Sequence, residues 1–96
     1  MKSFSQLKKD LKVGVKIKTI LNNIKPEKNN QVRELIKVQT NAIVFKDETH
    51  ASGTSYLWYP KASLVEYEDN IFKIYEEPNK YNNNTKTLLF VYEILK

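Results

Sequence analysis

From residue 13 onward, the sequence alternates apolar and polar residues in short runs that polar, turn-forming segments separate. An alternation with a period of two places every second side chain on the same face of a β-strand, so each run predicts a half-buried strand. The segments between the runs are rich in Asn, Asp, Gly and Pro, which favour turns. On this basis we predict strands at residues 13–21, 32–39, 42–46, 55–59, 64–67, 71–75 and 88–94.

The first residues follow a different period. Ser3 and Gln6 have the spacing of a capping box, in which each side chain satisfies a backbone amide at the start of a helix. Phe4, Leu7 and Leu11 then recur at helical spacing. The sequence therefore predicts a short amphipathic helix over residues 4–11, and because so short a helix is marginal alone, its apolar face must dock on the sheet.

A chain of 96 residues suffices for one domain with one hydrophobic core. Consecutive strands joined by short loops favour antiparallel pairing. The expected fold class is mainly β (α+β): a short N-terminal helix followed by about seven antiparallel strands, as an SH3-like small barrel or a curled sheet. The expected core consists of Leu7, Leu11, Val15, Ile17, Ile36, Val38, Val44, Phe72, Ile74, Leu88 and Phe90.

The absence of cysteine excludes disulfides, thiolate zinc sites and cysteine nucleophiles. No apolar run approaches the roughly 20 residues that cross a bilayer, and the N-terminus lacks the apolar stretch of a signal peptide. We therefore expect a soluble, cytoplasmic protein that makes no membrane contact.

The residues that could carry catalysis form no familiar motif. His50 is the single histidine, and its neighbours Asp47 and Glu48 do not have a known metal-ligand spacing. Glu66 and Glu68 alternate on one strand, as acids do on a solvated face or on a protected sheet edge. We expect no enzymatic activity, no catalytic residue, no metal, no cofactor and no small-molecule substrate.

Positive charge is concentrated in the first third of the chain. Residues 1–37 hold ten Lys or Arg against three acids, whereas residues 38–96 hold six Lys against eight acids. Alternation places three lysines on one face of the first strand, beside two on the helix, and an antiparallel neighbour could bring two further basic residues alongside. The candidate binding residues of this basic region are Lys8, Lys9, Lys12, Lys16, Lys18, Arg33 and Lys37.

Such clustered charge predicts a polyanionic partner, either nucleic acid or an acidic protein surface. Base-specific reading depends heavily on Arg, and Arg33 is the only arginine, so contact with the nucleic-acid backbone is expected to dominate. The alternative is a lysine-rich surface that is merely solvated.

The aromatic run Tyr56, Leu57, Trp58, Tyr59 is the most distinctive local feature. If Tyr56 and Trp58 face outward, they could stack on nucleotide bases or anchor a protein interface. In the alternative arrangement, Trp58 fills the core of a small barrel.

The segments LKVGVKIKT, RELIKVQTNAIVF and SYLWYPKASLVEYEDNIFKIYE, in this order after a short helix, resemble small proteins encoded by phages and mobile elements of low-GC Gram-positive bacteria. The resemblance implies an accessory protein that binds nucleic-acid machinery, a class that includes anti-CRISPR and other anti-defence inhibitors.

Two functions are compatible with these observations. The first is a non-catalytic module that binds nucleic acid or a nucleic-acid-processing complex. The second is an inhibitor that binds a host protein of a defence system without touching nucleic acid.

Overall fold

A computed structural model describes residues 2–95 and contains the helix and the seven strands expected from the sequence. The helix α1 spans Phe4–Asp10. The strands are β1 (Lys16–Asn22), β2 (Val32–Val38), β3 (Ala42–Lys46), β4 (Thr54–Trp58), β5 (Val65–Glu68), β6 (Ile71–Glu76) and β7 (Thr87–Leu95). Three single-turn 3₁₀ helices, at Pro26–Lys28, Ala62–Leu64 and Lys80–Asn82, lie in the connections.

All seven strands form one antiparallel sheet in the order β4-β3-β2-β1-β7-β6-β5. Strands β4 and β5 therefore occupy opposite edges, although only residues 59–64 connect them. A flat sheet would hold the two edge strands about 29 Å apart, whereas the chain from Trp58 to Val65 reaches at most about 25 Å. The sheet has to curl, and it remains unclosed because β4 and β5 do not pair. Of the two expected architectures, the curled sheet is the one observed.

The helix α1 covers one end of the gap between the two edges. The amide of Lys2 donates to the carbonyl of Tyr67 on β5 (2.9 Å), and the Phe4 ring packs edge-to-face on Tyr59, next to β4 (5.6 Å between centroids). Leu7 and Leu11 are buried in the core. Ser3 caps the helix as expected, since its hydroxyl accepts from the amide of Gln6.

The core lies on the concave face of the sheet and contains most of the expected residues, but β2 is an exception. Leu35 is fully buried, whereas Ile36 and Val38 are 38 % and 44 % exposed. The pairing of β2 with β3 shifts between Leu35 and Lys37, so Ile36 is an extra residue at a β-bulge. The expected burial of Ile36 and Val38 is therefore wrong. Ile36 is the bulged residue, and Val38, although it is opposite the buried Ile43, is the last residue of β2 and remains exposed.

Among residues 2–95, no helix is long and apolar enough to cross a membrane.

The bulge predicts that truncating Leu35 lowers the free energy of unfolding more than truncating Ile36, the reverse of what the sequence pattern predicts. Leu35→Ala should reduce the free energy of unfolding by about 2–5 kcal/mol, because it opens a cavity in the core. Ile36→Ala should cost less than about 1 kcal/mol. Urea unfolding followed by far-UV circular dichroism measures both, and a larger loss at Ile36 would contradict the observed phase of β2.

Candidate binding site along strand β4

Two aromatic side chains are exposed on the convex face of β4. Tyr56 is 51 % and Trp58 65 % exposed, and their rings stack on each other at 5.9 Å with an interplanar angle of 15°. The alternative in which Trp58 fills the core is therefore wrong. Core positions near this strand are taken by Phe45 and Ile43 of β3.

The free edge of β4 presents backbone groups that pair with no other strand of the described chain. The amide of Asp47 donates to the Gly53 carbonyl, and the amide of Tyr59 donates to the Asn41 carbonyl, both at 2.8 Å. These bonds flank the β3–β4 ladder, in which hydrogen-bonded pairs alternate with non-bonded pairs. Ser55 and Leu57 therefore bond to β3.

The alternation turns the N–H and C=O groups of Thr54, Tyr56 and Trp58 away from β3. Within residues 2–95, the backbone groups of Tyr56 and Trp58 have no hydrogen-bond partner, and the Thr54 carbonyl accepts only a hydroxyl of its own loop, that of Ser52 at 3.2 Å. No residue of β4 is charged. Natural proteins generally protect such edges, so an uncharged edge without a bulge is suited to pairing with another strand.

The opposite edge, β5, is protected in two ways. Glu66 and Glu68 place charges on the strand, and the amide of Lys2 occupies the Tyr67 carbonyl at the middle of the free edge. The alternating acids thus lie on an edge strand, as the sequence suggested. The contrast makes β4 the edge that is open to a partner.

The lysines of β1 lie on the convex face beside acids. Lys16 is directly opposite Glu34 of β2, and Lys18 is directly opposite Glu93 of β7. Alternating charges of this kind reduce the positive potential along the strand. Lys12 lies outside β1, in the connection that follows α1.

The other basic candidates lie apart from this pair. Lys8 and Lys9 are exposed on α1, and the Lys8 ammonium lies 5.2 Å from the centre of the Tyr59 ring. Lys37 is exposed on β2, opposite Val44. Arg33 does not lie alongside the lysines of β1: it is opposite the buried Ile17 and points into the concave side, because the phase of β2 is the reverse of the one expected.

Arg33 lines a cleft of about 230 Å³ at the end of the concave face away from α1. Ser55 and Leu57 of β4 form one wall, and Phe90 and Tyr92 of β7 contribute aromatic surface. Three cationic side chains also line it, those of Lys25, Lys28 and Arg33, together with His50. The cleft thus joins the inner side of the open edge to a cationic surface.

The Arg33 guanidinium is held in place on several sides. It stacks on the Phe45 ring at 4.2 Å, and its Nη1 donates to Ser55 Oγ at 2.9 Å. The side chain is only 12 % exposed, and its Nε is buried without a partner among the described residues. Arg33 is therefore a positioned cation with a donor to spare.

Asp47 is the acidic residue of the cleft, and its carboxylate accepts hydrogen bonds from Thr49 in the adjoining loop. Its Oδ1 accepts from the Thr49 amide (3.0 Å), the Thr49 hydroxyl (2.5 Å) and Gln31 Nε2 (3.3 Å). Burial alone would raise the pKa of Asp47, but the hydrogen bonds from Thr49 and Ser55 and the positive charge of Lys28 together outweigh it and lower the pKa to about 2. Its Oδ2 lies 3.9 Å from Arg33 Nη1 and 3.7 Å from His50 Nε2.

Sequence reasoning missed the cleft, which combines residues from five separate segments. The Asx-turn from Asp47 to Thr49 at the start of a polar loop was the available signal for that acid. Lys25 and Lys28 lie in a loop whose position over the concave face is set by the pairing of β1 and β2. Across residues 2–95, no group of three or more His, Asp and Glu side chains is arranged to hold a metal ion.

No protein-family model, curated protein or solved structure matches the chain significantly.

The low pKa of Asp47 predicts a pH-dependent contribution to stability. Because the folded-state pKa is about 2 and the ordinary value is 3.8, ionised Asp47 stabilises the fold above about pH 4 and loses this effect as the pH falls towards 2. The difference corresponds to about 2 kcal/mol. Asp47→Asn should therefore be less stable than the native chain at pH 6, with the gap closing near pH 2 in urea unfolding curves. A constant gap across this range would contradict the assignment.

Proposed function

We propose that the chain is a non-catalytic binding module that captures an extended segment of a partner protein by adding it as a strand to β4. The unpaired, uncharged edge of β4 is the observation that carries this proposal. In strand addition, main-chain hydrogen bonds supply affinity, and side chains on alternate positions supply specificity.

The positions of the aromatic rings support this mode of binding. Tyr56 and Trp58 lie on the convex face directly beside the free edge, so a docked strand would place its outward side chains against them. Tyr and Trp are the residues that most often dominate the binding energy of protein interfaces. Their mutual stacking orients both rings before a partner arrives, which reduces the entropy lost on binding.

The partner that this proposal requires is a protein with an accessible extended segment. The anti-defence role implied by the resemblance to phage and mobile-element proteins stays a prediction, in which such a segment would belong to a host defence protein.

Tyr56→Pro provides a direct test. Its N–H points away from β3, so proline should remove a donor at the free edge without breaking the β3–β4 ladder. The probe is a short capped peptide that alternates valine with threonine and has glutamate at its central polar position. We expect the peptide to shift the Trp58 amide resonance and slow its hydrogen exchange in the native chain, and Tyr56→Pro to abolish this response.

Tyr56→Ala is the matched control, because it removes the ring and keeps the amide. It should weaken binding by about tenfold while the Trp58 amide still responds. Equal binding by the native chain and Tyr56→Pro, with both folded by circular dichroism, would contradict strand addition.

A second candidate function is contact with single-stranded nucleic acid. The observation that favours it is the pair of exposed aromatic rings on a face that also presents Lys37 and Lys46, since bases stack on such rings while lysines contact phosphates.

Salt dependence tests whether the lysines near the first strand contribute to this second function. If Lys12, Lys16 and Lys18 contact phosphates, the affinity for an oligothymidylate should fall steeply with salt, with a log–log slope of about −0.7 per phosphate contacted. Replacing the three lysines by Glu should then abolish that binding and leave the fold intact, because exposed charges contribute little to stability. Fluorescence of Trp58, the only tryptophan, measures the titration. Unchanged affinity after this replacement would exclude the three lysines as phosphate ligands.

A further inference from the structure

We infer that the cleft behind β4 receives a carboxylate side chain of the docked segment, so that the partner carries Asp or Glu at the position beside Ser55. This inference rests on the proposed strand addition to β4 and specifies the chemistry of the partner. It combines three observations: the position of Ser55, the charge of the cleft, and the state of Arg33.

The position of Ser55 fixes where the side chain of an added strand would go. Ser55 bonds to β3 through its backbone, so its neighbour in an added antiparallel strand occupies a non-hydrogen-bonded position, where facing side chains lie closest. Adjacent strands are about 4.8 Å apart, and residues opposite each other point to the same face. The side chain beside Ser55 would therefore enter the cleft.

Ser55 is already in direct contact with the cation of the cleft. Its Oγ accepts from Arg33 Nη1 at 2.9 Å. A side chain that enters beside Ser55 thus arrives next to the guanidinium, and Glu or Asp is long enough to span one strand spacing.

The charge of the cleft matches an anion. Lys25, Lys28 and Arg33 contribute three permanent positive charges, and Asp47 contributes one negative charge. Asp47 thus leaves two of these three positive charges uncompensated. Asp47 does not satisfy the guanidinium, because the 3.9 Å between Oδ2 and Nη1 is longer than a hydrogen bond.

The environment of Arg33 favours strong recognition. Stacking on Phe45 and burial hold the guanidinium in one orientation, and Nε has no partner among residues 2–95. A guanidinium binds a carboxylate through paired N–H donors, and such charge-assisted bonds are about twice as strong as neutral ones. Lys28 lines the same cleft, and its ammonium donates to Thr49 Oγ1 at 2.9 Å.

The alternation of a strand then constrains the partner further. The residues on either side of the acid would face the convex side, directly opposite Thr54 and Tyr56 and diagonal to the Tyr56 and Trp58 rings, so they are expected to be apolar. The segment that fits is an acidic residue between two apolar residues in extended conformation.

The test compares the glutamate-containing peptide of the previous subsection with the same peptide carrying glutamine. We expect the glutamate peptide to bind the native chain about tenfold more tightly. Lys28→Gln and Arg33→Lys should each reduce this preference, the second because lysine keeps the charge and loses the paired donors. Lys73→Gln, on the exposed face of β6, is the matched control and should leave the preference unchanged.

The possible outcomes separate the inference from the proposed function. Equal affinities for the two peptides, with the Trp58 amide shifted by both, would overturn the carboxylate site and leave strand addition standing. Shifts confined to Lys28 and Arg33, without a response at Trp58, would overturn strand addition. Binding of inorganic phosphate or acetate as tight as that of the glutamate peptide would show a general anion site and overturn the assignment to a peptide side chain.

Discussion

The connection between β4 and β5 is the constraint on which the rest of the structure depends. Residues 59–64 are too few to join the two edges of a flat seven-stranded sheet, so the sheet must curl until the edges approach each other. Curling creates the concave face that holds the core. It also leaves a gap between the edges, because β4 and β5 do not pair.

The two ends of this gap are lined by different types of side chain, apolar at one end and polar or charged at the other. At one end, α1 fills the space with Phe4, Leu7 and Leu11, and Lys2 extends the β5 edge by one backbone bond. At the other end, the concave face carries Arg33, Asp47 and Ser55 in place of apolar side chains. The helix therefore closes the apolar end, while β4 remains accessible from the polar end.

The elements of the fold were predictable because they depend on local patterns. The N-cap Ser3 predicts the start of α1, although the Gln6 side chain donates to Asp10 instead of completing the expected capping box. The alternation predicts all seven strands. The concave position of Arg33 was not predictable in the same way. Val32, Ile36 and Val38 occupy alternate positions of β2, with Glu34 between the first two, yet all three are exposed. The bulge after Leu35 is a property of the pairing of β2 with β3.

The candidate site was predictable only in part, for a related reason. Tyr56 and Trp58 could be identified from the sequence, because residue type and the alternation along one strand are local properties. That β4 is an edge strand depends on the order of all seven strands, which the sequence of β4 alone does not encode. The alternation of hydrogen bonds along β4 then decides which of its backbone N–H and C=O groups point away from β3. This alternation follows from the β3–β4 register.

The polar end of the core has an energetic cost that bears on its role. Buried charges usually lower stability unless hydrogen bonds and opposite charges compensate for their loss of water. Asp47 is compensated at Oδ1, where three donor atoms converge, whereas its buried Oδ2 has no hydrogen-bond partner among residues 2–95. Arg33 is compensated only in part, because Nε has no partner among residues 2–95 and Asp47 Oδ2 lies beyond hydrogen-bond distance. An apolar residue opposite Ile17 would avoid this cost. The carboxylate that we infer for the docked segment would supply an acceptor for the guanidinium and offset it.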